Sequence, residues 1–376
     1  MTQRPDGTWR ARVLLGGKRL EKRVLNRKAG LDWIGLQVDA WEATGAAPMA
    51  GTPTLDVWLR GWLDRIAMSG KRHGKGGPRT ANTVNEYRKK VESYLIPAMG
   101  TMKLTEIKPM HIVGWQKSML IGEVPGTSIK LGRGDGLSSR TVIATQVLLK
   151  AALDDAVRQE VLRRNPVRAV DDVKLVVTYK PIIVTREQWR QGIDIARSRL
   201  SSMGIYVLLA AMIGMRRGEI LGLKWVDVKL DEKHPWMQVG ESVQRVGRQG
   251  LVTSPGKNDY SIREIALPPT IAAALCEIRQ SSGYVVTGEA KREPAEVSRH
   301  AWDPIRNELG LPQLRLHEMR HFLVTALDGN PRITQPLVKA WFGHTPTDIH
   351  GLVYFARLRE DSQRVAAQIE KLYQRA

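Results

Sequence analysis

The chain has 376 residues, enough for two or three domains, and its 58 Lys and Arg against 38 Asp and Glu give a net charge of +20 and a pI of about 10.2. That excess suits a polyanionic partner, because neutralising phosphates releases counterions and drives association. A lone cysteine, Cys276, excludes an intrachain disulfide and a cysteine-rich zinc site, and no stretch approaches the ~20 apolar residues of a membrane helix.

The N-terminus, MTQRPDGTWRAR, lacks the apolar segment of a signal peptide, so a cytoplasmic protein is expected. Residues 1–45 read as a small separate module. Asp6-Gly7 is a hairpin signal, Trp9 to Leu15 suits a strand, Gly16-Gly17 makes a second turn, and Arg19 to Leu25 suits another strand. A helix follows from about Lys28 to Ala43, with Leu31, Ile34, Val38 and Trp41 at helical spacing. The expectation is a three-stranded sheet with one helix. Up to Gly30 there are nine Lys and Arg against two acids, so Arg10, Arg12, Lys18 and Arg19 are candidate DNA contacts on a basic sheet laid in a major groove.

Gly45 to Pro53 reads as a linker. Residues 54–164 carry four helical patterns: LDVWLRGWLDRIAM, TANTVNEYRKKVESYLIPAMG, KPMHIVGWQKSML and SSRTVIATQVLLKAALDDAVRQEVL. Thr80 or Asn82 can cap the second, and Ser138 or Ser139 the last. Two Gly-rich loops interrupt them, and the first, KRHGKGGPR, offers Lys71, Arg72 and Lys75 to a DNA backbone. RRNPVRAVDDVKLVVTYKP reads as a second linker.

Residues 181–376 form the last predicted domain. Helices are expected near 185–199 and 202–213, with a turn at Gly214 and strands in KWVDVKL, WMQVGESVQRV and SIREIAL. Five or so helices then run to the end. Cys276, in the apolar stretch IAAALCEIR, is expected to be a buried, inert thiol. The fold class is multidomain, mainly α with small β-sheets: a three-stranded sheet plus helix, a helical bundle, and a mixed α/β domain.

The last domain carries, in order, Arg216 in GMRRGEILGLKW, Lys257 in SPGKNDYSIREIAL, His317 and Arg320 in HEMRHFLVTAL, and His344 and Tyr354 in FGHTPTDIHGLVYF. Together they suit chemistry at a phosphodiester. Guanidiniums grip two phosphate oxygens at once, imidazoles donate hydrogen bonds, a lysine on a turn can protonate a leaving oxygen, and a tyrosine can attack phosphorus. His317 and Arg320 are three apart on a helix and so share a face. HEMRH is also a literal His-Glu-x-x-His, which opens a zinc metallopeptidase reading with His344 as a third ligand. Arg320 on the metal-bearing face argues against it, and no metal or other cofactor is expected.

These motifs resemble the catalytic domain of the tyrosine recombinases, specifically phage-type integrases. Residues 54–164 resemble that family's core-DNA-binding domain, and residues 1–45 resemble its arm-site-binding module. The resemblance implies Arg216, Lys257, His317, Arg320 and His344 as catalytic residues, Glu219 as a supporting residue and Tyr354 as the nucleophile. By chemistry alone Arg217 rivals Arg216, and Tyr373 rivals Tyr354; position in the motif selects between them. Phe342-Gly343-His344 departs mildly from the family's Leu-Gly-His, and Tyr354 follows His344 by ten residues, within the family's spacing.

The implied activity is site-specific DNA integration and excision through a 3′-phosphotyrosine, independent of metal and ATP. The implied partners are double-stranded core and arm attachment sites, three further copies in a tetramer on DNA, a host DNA-bending protein and a small excision factor. Other readings are a chromosome-dimer resolvase, a topoisomerase IB-like strand transferase and a DNA-binding regulator on an inactive domain. All six catalytic positions are filled, against decay, and residues 1–45 favour an integrase over a resolvase.

Overall fold

A computed structural model describes residues 1–15, 18–44, 52–68, 80–124, 130–131, 136–176, 182–255, 262–344 and 358–374. The chain divides into two compact units, Met1–Val177 and Thr178–Ala376. Among the described residues the architecture is mainly helical with small antiparallel sheets.

The first unit opens with β1 (Thr2–Gln3), β2 (Trp9–Leu15) and β3 (Lys18–Val24), an antiparallel sheet in that order, against which α1 (Arg27–Thr44) packs. Strand alternation decides its two faces. Ala11, Leu15 and Leu20 are buried, while the register pairs Arg10 with Arg23, Arg12 with Glu21 and Leu14 with Arg19 on the opposite face. Asp6 and Gly7 turn the chain as expected, with Gly7 at φ 81° and Asp6 accepting from the Thr8 amide at 3.0 Å.

The helical bundle consists of α2 (Leu55–Met68), α3 (Ala81–Lys90), α4 (Ile96–Met99), α5 (Pro109–Ile121) and α6 (Ser139–Arg158). Thr80 and Ser138 are the N-caps, each accepting at 3.3 Å from the amide three residues on. Between α3 and α4 the chain makes a π turn over Val91–Leu95, where the Ile96 amide bonds Val91 instead of Glu92. Pro97 explains it, because a residue with no N–H cannot continue the regular ladder. Trp58, Leu59, Trp62, Leu63, Trp115 and Leu149 lie in one core, and the Trp58 indole donates to the Ala152 carbonyl at 2.9 Å. The stretch expected to be a second linker lies against this bundle as far as Val176. Gln116 donates to the Asp171 carbonyl at 2.9 Å, Gln146 to Asp172 at 3.0 Å, and the Val176 amide to Ser139 at 2.8 Å. Asn165 and Asp171, polar and near a proline, read as linker, but they satisfy buried polar groups of the bundle.

The second unit begins with α7 (Arg186–Ser198) and α8 (Ser202–Leu208), which runs through a π turn (Leu209–Ile213) to Gly214 and then α9 (Arg217–Gly222). β4 (Val228–Lys229), β5 (Trp236–Val239) and β8 (Arg263–Ala266) form one antiparallel sheet, and β6 (Glu241–Val246) pairs with β7 (Gly250–Pro255) in a separate hairpin. The single run expected in WMQVGESVQRV is thus two strands in two sheets, parted at Gly240, and β7 was not expected at all: GLVTSP has no clear alternation. α10 (Pro269–Glu277), α11 (Pro294–Glu308), α12 (Leu316–Asp328), α13 (Gln335–Trp341) and α14 (Leu358–Gln374) complete the unit around Trp189, Tyr206, Trp302, Trp341 and Phe342. Cys276 is exposed, contrary to the expectation of burial. The face that α10 buries is Thr270, Ile271, Ala274 and Leu275, and the last turn leaves Cys276 outside it.

Candidate active site

Three short segments of the second unit converge. The first is the turn from α8 into α9. Gly214 adopts φ 73°, a conformation that favours glycine, and a Cβ there would lie 2.3 Å from the Phe342 ring. This turn leaves Arg216 as the N-cap of α9. The Arg216 amide donates to Glu219 Oε2 at 3.0 Å and its Nη1 to Oε1 at 2.7 Å, so one carboxylate fixes both the helix start and the guanidinium. The Arg216 side chain keeps 43% of its surface exposed, whereas Glu219 is buried. Arg217, the chemical rival, is exposed on the first turn of α9.

The second segment is α12, entered through Arg315. Arg315 donates twice to the buried Glu318, at 2.9 and 2.5 Å. His317 is exposed, with its ring edge-on to His321 at 4.4 Å between centroids. Arg320, one turn further in, is 4% exposed; it donates to the carbonyls of Gly214 and Phe342 and lies 4.9 Å from the Phe342 ring.

The third segment is the end of α13. The His344 amide donates to the Lys339 carbonyl at 2.9 Å, and its Nε2 lies 3.4 Å from Arg320 Nη2. The three preceding carbonyls each accept from a different guanidinium: Trp341 from Arg263 at 2.7 Å, Phe342 from Arg320 at 3.3 Å, and Gly343 from Arg216 at 3.4 Å.

Electrostatics follow from this crowding. Burial alone would raise the Glu219 carboxyl, but the Arg263 and Arg216 charges outweigh it and hold the pKa at about 2. Burial first, and then the Arg216 charge, bring Arg320 down to about 9, still protonated at neutral pH. His317 is lowered by desolvation, then by His321 and Arg320; His344 is lowered by desolvation, then by Arg320 and Arg216. Both shifts favour the neutral imidazole near pH 7, in which one ring nitrogen donates and the other accepts. This cluster of Arg216, Arg263 and Arg320 about one carboxylate adjoins a cleft of about 400 Å³ whose lining includes Arg217, Ser298, Arg315, His317 and Arg320. Such a site suits a doubly charged oxyanion in flight between two alkoxides.

Arg216, His317, Arg320, His344 and the supporting Glu219 are thus gathered in one place. Lys257 and Tyr354 lie outside the described residues. Lys257 falls in sequence between β7 and β8. Tyr373, the rival of Tyr354, donates its hydroxyl to Asp194 of α7 at 2.5 Å. In HEMRH, Glu318 is engaged by Arg315, and no group of three or more His, Cys, Asp or Glu able to hold a metal occurs among the described residues. Of the DNA-contact candidates, Arg10, Arg12 and Arg19 share the outer sheet face; Arg10 and Arg12 both pair with Glu21 at 2.9 Å, which neutralises part of that face. Lys18 sits opposite Leu15 in the register, and Lys71, Arg72 and Lys75 lie outside the described residues. Sequence reasoning missed Arg263, 4% exposed, which donates to Glu219 Oε2 at 3.1 Å. Its signal was an arginine in phase with Ile265 and Leu267 on the inward side of SIREIAL.

Residues 79–120, within the bundle, match the family described as "Phage integrase, N-terminal SAM-like domain". A prophage phiRv2 integrase of Mycobacterium tuberculosis is 23% identical over 292 residues, 74% of this chain and 68% of the relative. The ICEBs1 integrase of Bacillus subtilis is 26% identical over 252 residues, 61% of this chain and 66% of the relative. The solved lambda integrase dimer on a COC′ core site matches all of this chain and 95% of that one, at a TM-score of 0.53 and 16% identity. The lambda integrase tetramer bound to a Holliday junction matches 93% of this chain and 96% of that one, at a TM-score of 0.54 and 16% identity. At that identity the structural likeness speaks for the fold alone, a lambda-integrase-like multidomain architecture. With an integrase-family segment in its bundle and integrase relatives along most of its length, the chain is similar to the tyrosine recombinases of the phage-integrase type.

Proposed function

We propose that this site-specific recombinase cleaves and rejoins DNA through a 3′-phosphotyrosine at Tyr354, serving the integration and excision of a phage-like element. The observation that carries the reading is the clustering of Arg216, Arg320 and His344, from three segments distant in sequence, beside a cationic cleft that Arg320 and His317 line. The arginines and imidazoles stabilise the charge on the pentacoordinate phosphorus, the term on which phosphoryl transfer mostly depends. A free phenol has a pKa of ~10, so the same field favours the Tyr354 phenolate during attack. The phenolic oxygen gives up its proton to solvent and bonds to phosphorus as the 5′ oxygen leaves, and Lys257 supplies the proton that oxygen takes. A 5′ hydroxyl from another strand then reverses the step, releasing the tyrosine with no ATP consumed.

The domain assignment is part of the proposal. Residues 1–45 bind arm-type sites through Arg10, Arg12, Lys18 and Arg19; residues 54–164 bind core sites, with Lys71, Arg72 and Lys75 on the backbone; residues 181–376 carry the chemistry. Four copies act together on two duplexes, with a bending protein and an excision factor setting direction. Incubating the protein with a nicked core-site substrate in EDTA tests the reaction. A covalent protein–DNA complex that forms without metal is the expected result. Cleavage that requires added zinc, with one zinc bound per chain, overturns it.

A further inference from the structure

Arg263 opens β8 and points inward, 4% exposed, in a strand that otherwise buries Ile265 and Ala266. Its guanidinium bridges two of the three segments that make the site. Nη2 and Nη1 reach the Glu219 carboxylate at 3.1 and 3.5 Å, and Nε reaches the Trp341 carbonyl at 2.7 Å. Glu219 in turn holds the Arg216 amide and guanidinium, while Trp341 stands three residues before His344. Arg263 does not line the cleft.

We propose that Arg263 is a positioning residue for strand cleavage: one buried guanidinium that holds the Arg216-bearing start of α9 and the His344-bearing end of α13 at a fixed separation. The inference rests on the strand-transfer reading above and deepens it. A buried ion pair adds little net stability over a well-packed apolar pair, so stability alone gives this one no clear purpose. What the fork supplies is direction. The planar group uses one edge for the carboxylate and Nε for a carbonyl, a geometry that a lysine cannot reproduce from a single ammonium. Carbonyls 341, 342 and 343 each accept from a different arginine, so a shift of Arg263 also moves the acceptors of Arg320 and Arg216. The residue also begins the strand that directly follows the Lys257 segment, so its anchor fixes one end of that connection.

Arg263→Lys in the full-length protein keeps a charge beside Glu219 and tests the fork alone. Three quantities are read: DNA affinity, single-turnover cleavage of a nicked core site at saturating protein, and amide hydrogen exchange. Expected are an affinity within about threefold of the unsubstituted protein and cleavage slowed by about 10- to 100-fold, the scale of a 1 Å misplacement. Exchange rises at residues 216–219 and 341–344 but not in α8. The doubly neutral variant Arg263→Gln with Glu219→Gln removes both charges of the buried pair together; it too is expected to bind DNA and cleave slowly. Cleavage by Arg263→Lys within threefold of the unsubstituted protein overturns the assignment, as does loss of affinity and protection throughout the unit in both variants, the mark of a merely structural role. Should the unsubstituted protein form no covalent complex, the strand-transfer reading fails, and the exchange pattern still decides whether Arg263 holds the two segments together.

Discussion

Glu219 sits between Arg216 and Arg263 and is the carboxylate against which both are aligned. Glu219→Gln leaves Arg263 buried beside a neutral amide, and breaking a buried pair in this way costs roughly 3–5 kcal/mol. Urea denaturation at pH 7 reads that loss directly. The folded pKa of about 2 lies below the ordinary value of 4.5, so the contribution is complete above pH 4.5 and fades as the pH falls toward 2. The stability gap between the two proteins should therefore narrow over that window; a gap that widens on acidification contradicts the pairing. At the neighbouring position the structure separates two adjacent arginines by what holds them. Arg216 is clamped by Glu219 and the Gly343 carbonyl, while Arg217 is exposed on the cleft wall. Arg216→Lys should slow cleavage by about 10²–10³-fold, the usual loss for one preorganised donor, and Arg217→Ala by much less. The reverse order in a single-turnover assay means that the catalytic arginine is Arg217.

At the scale of elements, strong local signals were readable and tertiary compensations were not. The alternation of Trp9 to Leu15 and the apolar stripe of Leu55–Met68 correspond to β2 and α2, because amphipathic period alone specifies those elements. Gly214, Arg216, His317, Arg320 and His344 stood out because their local settings are distinctive. Arg263 did not: an arginine in a strand reads as solvent-facing until Glu219, 44 residues earlier, is known to meet it. β7 was hidden for a similar reason, since GLVTSP gains its strand character only from pairing with β6. Cys276 was misread because an apolar neighbourhood in sequence does not fix which side of a helix a residue occupies. The small N-terminal sheet carries a prediction of its own. Its outer face holds Arg10, Arg12 and Arg19, with Glu21 already paired to two of them. Deleting residues 1–45 should preserve core-site binding and cleavage but abolish binding to a second, distant class of sites, and with it integration. A gel-shift and integration assay reads both, and a truncated protein that integrates as well as the full chain contradicts an arm-binding role.

For the molecule as a whole, a net charge of +20 explains attraction to DNA but carries no information about chemistry. The proposed chemistry rests on one cluster of the second unit, where buried Glu219 and Arg263 contact Arg216 and the end of α13. The nucleophile is the step on which the account stands or falls. Tyr354 follows His344 at the family's spacing, whereas Tyr373 has its hydroxyl engaged by Asp194. The decisive measurement traps the protein on a nicked core-site substrate, digests the covalent complex and sequences the DNA-linked peptide by mass spectrometry. The account predicts a 3′-phosphate on the Tyr354 peptide and no adduct from Tyr354→Phe, which still binds DNA. An adduct on Tyr373, on a serine, or persisting in Tyr354→Phe contradicts it.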